Sequence, residues 1–168
     1  MASTTTRELP GHAERKSVAE GQLEPGTVLQ NRYQIIGVLG VGGMGSVYQA
    51  RDTRFSNVTK LCAVKEMMNL TPDSQMRKLI IQNFEREANI LATLDHPAVP
   101  EIFDFFSEGT RSFLVMEFIS GQSLEQVCDE TEGFLPEETV LDWAVQVSDV
   151  VAYLHAHKPN PIIFRDLK

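Results

Sequence analysis

Cysteine is scarce. Cys62 and Cys128 are the only two in 168 residues, and they stand far apart with neither a Cys-x-x-Cys spacing nor a histidine pair beside them. That arithmetic excludes a disulfide framework and a structural zinc site, and implies reduced thiols and a cytoplasmic location. Long apolar runs are missing as well. Nothing approaches the roughly 20 residues that a membrane-spanning helix requires, and the N-terminus has no apolar signal core. Positive charge is in deficit, with 15 Lys and Arg against 23 Asp and Glu and a formal net charge of -8. No basic stripe exists to neutralise an extended phosphate track, so nucleic acid is excluded as a main partner. The acidic excess gathers after Glu101, where a solvated face accounts for it.

What is present suits a globular domain. Hydrophobic residues make up 42% of the chain, enough to fill one core. Residues 1–26 are the exception, rich in Ser, Thr, Glu and Gly without apolar period, and are expected to form a disordered arm. Pro25-Gly26 then punctuates the chain before Val28-Leu29.

Glycine is dense in one place, Leu39-Gly40-Val41-Gly42-Gly43-Met44-Gly45-Ser46-Val47-Tyr48. A Gly-x-Gly-x-x-Gly spacing lets backbone amides approach a polyphosphate, but it occurs in dinucleotide-binding folds, in protein kinases and in ordinary flexible hairpins. The flanks are informative. Tyr33 to Leu39 and Ser46 to Ala50 both read as strands, so the glycines join a hairpin and open no helix, against a dinucleotide fold.

Leu61-Cys62-Ala63-Val64-Lys65-Glu66 alternates with period two, which puts Ala63 and Lys65 on one face and Cys62 and Val64 on the other. A lysine there either snorkels at a sheet edge or needs an anion. The next segment offers one. Thr71-Pro72-Asp73 reads as a helix start with a capping hydroxyl and Pro in the first turn, followed by apolar Met76, Leu79, Ile80, Phe84, Ala88, Leu91 and Leu94. At about 100° per residue, Glu87 lies roughly 20° from both Ile80 and Leu94, inside that stripe, whereas Glu85 points away. A carboxylate in an apolar stripe and a strand lysine both lack partners, so Lys65 and Glu87 are expected to pair; the alternative is a surface ion pair at the helix rim.

Further on, Val99–Phe106 and Phe113–Ile119 read as strands, Leu124–Asp129 as a short helix and Pro136–His155 as a long one with core positions such as Trp143 and Leu154. His96, beside Pro97 in a loop, suits capping better than catalysis. His155 and His157 stand where a helix dipole favours cations.

The chain closes on Ile163-Phe164-Arg165-Asp166-Leu167-Lys168. With that segment, the ordered set of glycine loop with Val47, Ala63-Val64-Lys65, Glu87 in a helix, Met116-Glu117, and Arg165-Asp166-Leu167-Lys168 resembles a Ser/Thr protein kinase of bacterial type. The resemblance implies an α+β fold: a small lobe over 27–119, with an antiparallel sheet and one helix, then the start of a mostly helical large lobe over 120–168. It implies that Gly40, Val41, Gly42, Gly43, Met44 and Gly45 cover the phosphates of ATP, and that Lys65, held by Glu87, contacts the α- and β-phosphates. Leu39, Val47 and Ala63 are expected to sandwich adenine, Met116 to back it, and the backbone of Glu117 and Ile119 to hydrogen-bond it. Asp166 is expected to orient the acceptor hydroxyl of a protein Ser or Thr and take its proton, and Lys168 to touch the γ-phosphate.

Two departures stand out. Phe164 occupies a position where the family usually has His, and by analogy it is expected to pack near Leu91 and Ile102. The catalytic-loop Asn and the Asp-Phe-Gly segment, which hold magnesium in the family, are not among these residues, so the chain contributes no metal ligand and is expected to be essentially inactive alone. A pseudokinase, or a nucleotide-binding regulatory or scaffold module, is the rival reading; intact Lys65, Glu87 and Asp166 speak against it.

Overall fold

The computed structural model describes residues 21–42, 45–55, 57–68, 71 and 73–165. Among the described residues there are six strands, β1 (Val28–Leu29), β2 (Tyr33–Gly42), β3 (Gly45–Asp52), β4 (Lys60–Met68), β5 (Ile102–Glu108) and β6 (Arg111–Glu117), in the spatial order β1-β2-β3-β4-β6-β5. The short links from β1 to β2, β2 to β3 and β5 to β6 make antiparallel neighbours the natural pairing. All pairs are antiparallel.

The period of two sorts the side chains. In β3, Ser46, Tyr48, Ala50 and Asp52 are buried and the residues between them are not. With Leu29, Tyr33, Ile35, Cys62, Val64, Phe113 and Val115, the Tyr48 and Ala50 side chains build the principal core on one face of the sheet. Contacts between the two ends of the strand order show that the sheet curls around that core. The Tyr33 hydroxyl of β2 donates to Asp104 of β5 at 2.8 Å, its ring stacks on Phe106 at 5.9 Å, and Gln30 donates to Glu108 from both its backbone and its side chain.

Two acids are buried on this side. Asp52 is gripped by Arg32 through two bonds of 2.9 and 2.6 Å, and the guanidinium also lies over the Tyr33 ring. Glu66 of β4 faces the same interior.

A second core lies on the opposite face, where α1 (Ser74–Leu91) packs. Phe84 and Ala88, one helical turn apart, bury against Met67 and Leu114, with Ile80, Leu91, Ile102, Phe105 and Met116 around them. Fully burying a ring such as that of Phe84 contributes about 2–3 kcal/mol. Asp73 caps the helix, its carboxylate accepting from Gln75 N and Met76 N. The cap is thus two residues later than Thr71, whose carbonyl instead accepts from Arg77; Pro72 lies outside the described residues.

Residues 21–26, read from sequence as the end of a disordered arm, pack on the sheet: Leu23 lies against the principal core and its N–H donates to the Tyr48 hydroxyl at 3.1 Å. The rest of that arm, 1–20, is outside the described residues. β5 begins three residues later than expected because His96 to Val99 forms a turn, with Val99 N on His96 O and Ala98 N on His96 Nδ1.

Beyond β6 come α2 (Leu124–Glu130), opened by a Ser123/Gln126 capping box, and α3 (Glu137–Ala156). The connection between α1 and β5 holds α3. Tyr153 accepts from Asp95 N at 2.8 Å, Thr93 bonds His157 at 3.2 Å, and His96 bonds Asp149 at 3.2 Å. Since Nδ1 of His96 accepts from Ala98, its Nε2 carries the proton and donates to Asp149. His96 is therefore a tie between segments. Val140, Leu141 and Val145 of α3 are exposed.

Candidate nucleotide site

The site assembles from cross-strand partners, because directly opposed residues share a face of the sheet. Gly40 of β2 pairs with Val47 of β3, Val47 with Lys65 of β4, and Lys65 with Leu114 of β6. One register step along, Ala63 pairs with Met116. Gly40, Val47, Ala63, Lys65 and Met116 therefore form one continuous patch, on the face opposite the principal core. Ala63 is buried, while Lys65 and Met116 are half-buried. Irregularities in β2 between Ile35 and Gly37 and between Val38 and Gly40 take Ile36 and Leu39 out of register, and Leu39 stands exposed beside the patch.

The glycines differ in their surroundings. Gly45 has φ +147, and a β-carbon there would overlap the carbonyl oxygen of Glu66. A β-carbon on Gly42 would meet only Gly45 O at 3.9 Å, and one on Gly40 would meet nothing within 4 Å. The hairpin thus closes onto β4 at Gly45 while Gly40 fronts open space, which fits a loop that admits a polyphosphate over the patch. Val41 is also exposed; Gly43 and Met44 lie outside the described residues.

At the far end, Glu117 N donates to Glu101 O at 2.8 Å. That bond occupies the Glu117 N–H, and Ile119 two residues on is exposed.

Lys65 and Glu87 are not paired. Among the described residues the ion pairs are Arg32 with Asp52 and Asp104, His96 with Asp149, and Arg111 with Glu66. The stripe that α1 buries is centred on Phe84 and Ala88, which leaves Glu87 exposed at its rim. There it lines a cavity of about 710 Å³ with Leu91, Ile163 and Phe164. Phe164 is half exposed and shares that cavity with Leu91, while Ile102 packs in the core beneath α1. Asp166 and Lys168 lie outside the described residues, as does Leu167.

One polar cluster was not anticipated from the sequence. Glu66 is 1% exposed, accepts from the Tyr48 hydroxyl at 2.7 Å, and has Arg111 Nη1 2.9 Å from its other carboxylate oxygen. Burial and the Glu66 carboxylate both push the Tyr48 hydroxyl up in pKa, so it stays protonated and donates. The signal was there: alternation sets Glu66 with Cys62 and Val64, an apolar face on which a charge needs partners.

Comparison with known proteins agrees with this geometry. A family model described as protein kinase domain matches residues 33–168. Serine/threonine-protein kinase B of Synechocystis sp. is 33% identical over 141 residues, covering 83% of this chain and 24% of that protein. Serine/threonine-protein kinase pkn2 of Myxococcus xanthus is 35% identical over 141 residues, covering 84% and 16%. The chain thus spans a quarter or less of the length of these relatives. A solved structure titled "PpkA-294 apo form" superposes with a TM-score of 0.73 at 21% identity, over 88% of this chain and 55% of that one, a likeness of fold.

Proposed function

The chain belongs to the protein kinase family, and from that premise we propose that residues 27–119 are the nucleotide-binding lobe, and residues 120–168 the start of the substrate lobe, of an enzyme that phosphorylates Ser and Thr hydroxyls of proteins. The observation that carries the reading is the single patch formed by Gly40, Val47, Ala63, Lys65 and Met116 across four strands. Val47 and Ala63, with Leu39 at the edge, offer apolar faces to adenine. Met116 limits the depth of the pocket, and the Glu117 carbonyl and Ile119 backbone offer polar edges. Lys65 offers one cation at the phosphate end, and the amides of Gly40, Val41, Gly42 and Gly45 offer donors beside it. Asp166, carried over from the family pattern, accepts the proton of the attacking hydroxyl, and Lys168 stands by the γ-phosphate. When bound, magnesium and ATP supply the phosphoryl group and neutralise its charge. The family's magnesium ligands, the catalytic-loop Asn and the Asp-Phe-Gly segment, are not among these residues, so the 168 residues alone are expected to bind nucleotide without turning it over.

A nucleotide-binding regulatory module is the second reading, favoured by the exposure of Glu87 away from Lys65. Phosphotransfer from ATP to a protein substrate by the product of the complete reading frame separates the two. Phosphoserine or phosphothreonine formation that is lost in Lys65→Met supports the kinase; nucleotide binding without any transfer supports the module; absence of both overturns the site.

A further inference from the structure

We propose that Glu66 is a positioning residue for the nucleotide site, and that it makes the seating of the N-terminal segment at Leu23 part of that site. Glu66 follows Lys65 directly, so whatever fixes its side chain on the core face fixes the backbone from which Lys65 leaves on the opposite face. The two strands that flank β4 converge on it at three points. Tyr48 of β3 donates to one carboxylate oxygen, Arg111 of β6 stands against the other, and its carbonyl is the surface on which Gly45 closes. The Tyr48 hydroxyl in turn accepts from Leu23 N, so the segment before β1 is tied through one oxygen to the strand that bears Lys65.

The chemistry of the cluster argues for geometry over stability. A buried carboxylate costs solvation that an ion pair only offsets, and apolar replacements of a whole pair are often neutral or stabilising. What such a replacement does not restore is direction: Met in place of Glu66 packs, but holds neither Tyr48 nor Arg111 at a fixed register. Gly45 has no side chain with which to hold the loop, so the Glu66 carbonyl is the stop against which the glycine hairpin rests.

The inference rests on the nucleotide reading of the site, and the test keeps the two apart. In the 168-residue chain, affinity for a fluorescent ATP analogue and thermal stability are measured for wild type, Lys65→Met, Tyr48→Phe, Glu66→Met and the double variant Glu66→Met/Arg111→Met. Amide hydrogen exchange at Leu23 and at residues 40–47 is followed in parallel without nucleotide. Lys65→Met losing the analogue upholds the site itself, and its failure to do so overturns the nucleotide reading and with it this inference. Given the site, the double variant recovers the stability that Glu66→Met loses, yet binds about tenfold more weakly than wild type, the worth of one charged hydrogen bond, with faster exchange in the hairpin. Tyr48→Phe gives faster exchange at both Leu23 and the hairpin. Recovery of wild-type affinity and exchange along with stability in the double variant would overturn the proposal, leaving Glu66 a purely structural group.

Discussion

Gly45 rests backbone to backbone on Glu66, at a φ of +147 and with no room for a β-carbon against the Glu66 carbonyl. A β-carbon on Gly40, in the same hairpin, would meet nothing within 4 Å. One glycine serves the fit between strands; the other leaves space above the patch.

The two therefore respond differently to alanine. Gly45→Ala combines an unfavourable backbone with a collision and is expected to cost about 2–4 kcal/mol of stability. Gly40→Ala is expected to stay within about 0.5 kcal/mol of wild type and to weaken nucleotide binding. Thermal denaturation and titration with an ATP analogue check both; a stable Gly45→Ala contradicts the contact.

Acid should unfold the sheet through Asp52. The Arg32 guanidinium holds the buried Asp52 carboxyl below its ordinary range. On acidification the unfolded chain takes up this proton before the folded one does. The stability the pair contributes is complete above about pH 4 and disappears as pH falls through the lowered folded-state value. Asp52→Asn leaves Arg32 with only its longer contact to Asp104, at 3.3 Å, and is expected to cost about 2 kcal/mol at neutral pH, while flattening that part of the acid limb. Melting temperature against pH for the two proteins is the check, and an unchanged slope below pH 4 in the variant contradicts it.

Much of this was legible in the chain itself. The alternation over residues 61–66 sorted Lys65 and Ala63 from Cys62 and Val64, and the strands bear it out. Periodicity also found the stripe of α1 but not its roll. The angle at which a helix settles is set by what it meets, here Met67 and Leu114, and a small rotation took Glu87 from the stripe to its rim. Residues 21–26 escaped for a different reason. Leu23 is a single apolar residue in a polar run, and its bond to Tyr48 spans 25 residues, a range that local pattern does not sense. Thr71 and Asp73 are equivalent capping signals around one proline; the reach of the Asp73 carboxylate to Gln75 N and Met76 N decided between them.

The two cysteines should be separable by reactivity. Cys128 is exposed, whereas Cys62 is buried with its Sγ 3.6 Å from Ala50 O. Burial pushes the Cys62 thiol up to about 11. A thiol reagent at pH 8 is expected to modify one cysteine rapidly and the second only in denaturant, with mass spectrometry placing the first label on Cys128. The sign at high pH follows from the same shift: the unfolded thiol ionises near pH 8.5, so the stability that neutral Cys62 lends is full below that value and fades as pH climbs toward 11. Equal labelling rates contradict the burial.

The most direct test of the account is chemical labelling of Lys65 by an acyl-phosphate derivative of ATP, which delivers an acyl group to whichever lysine lies beside the bound phosphates. Digestion and mass spectrometry of the labelled chain should find the acyl group on Lys65 and find it suppressed by excess ATP, with exposed Lys78 indifferent to competition. Labelling that spares Lys65, or that strikes it equally with and without ATP, contradicts a nucleotide site on this face of the sheet.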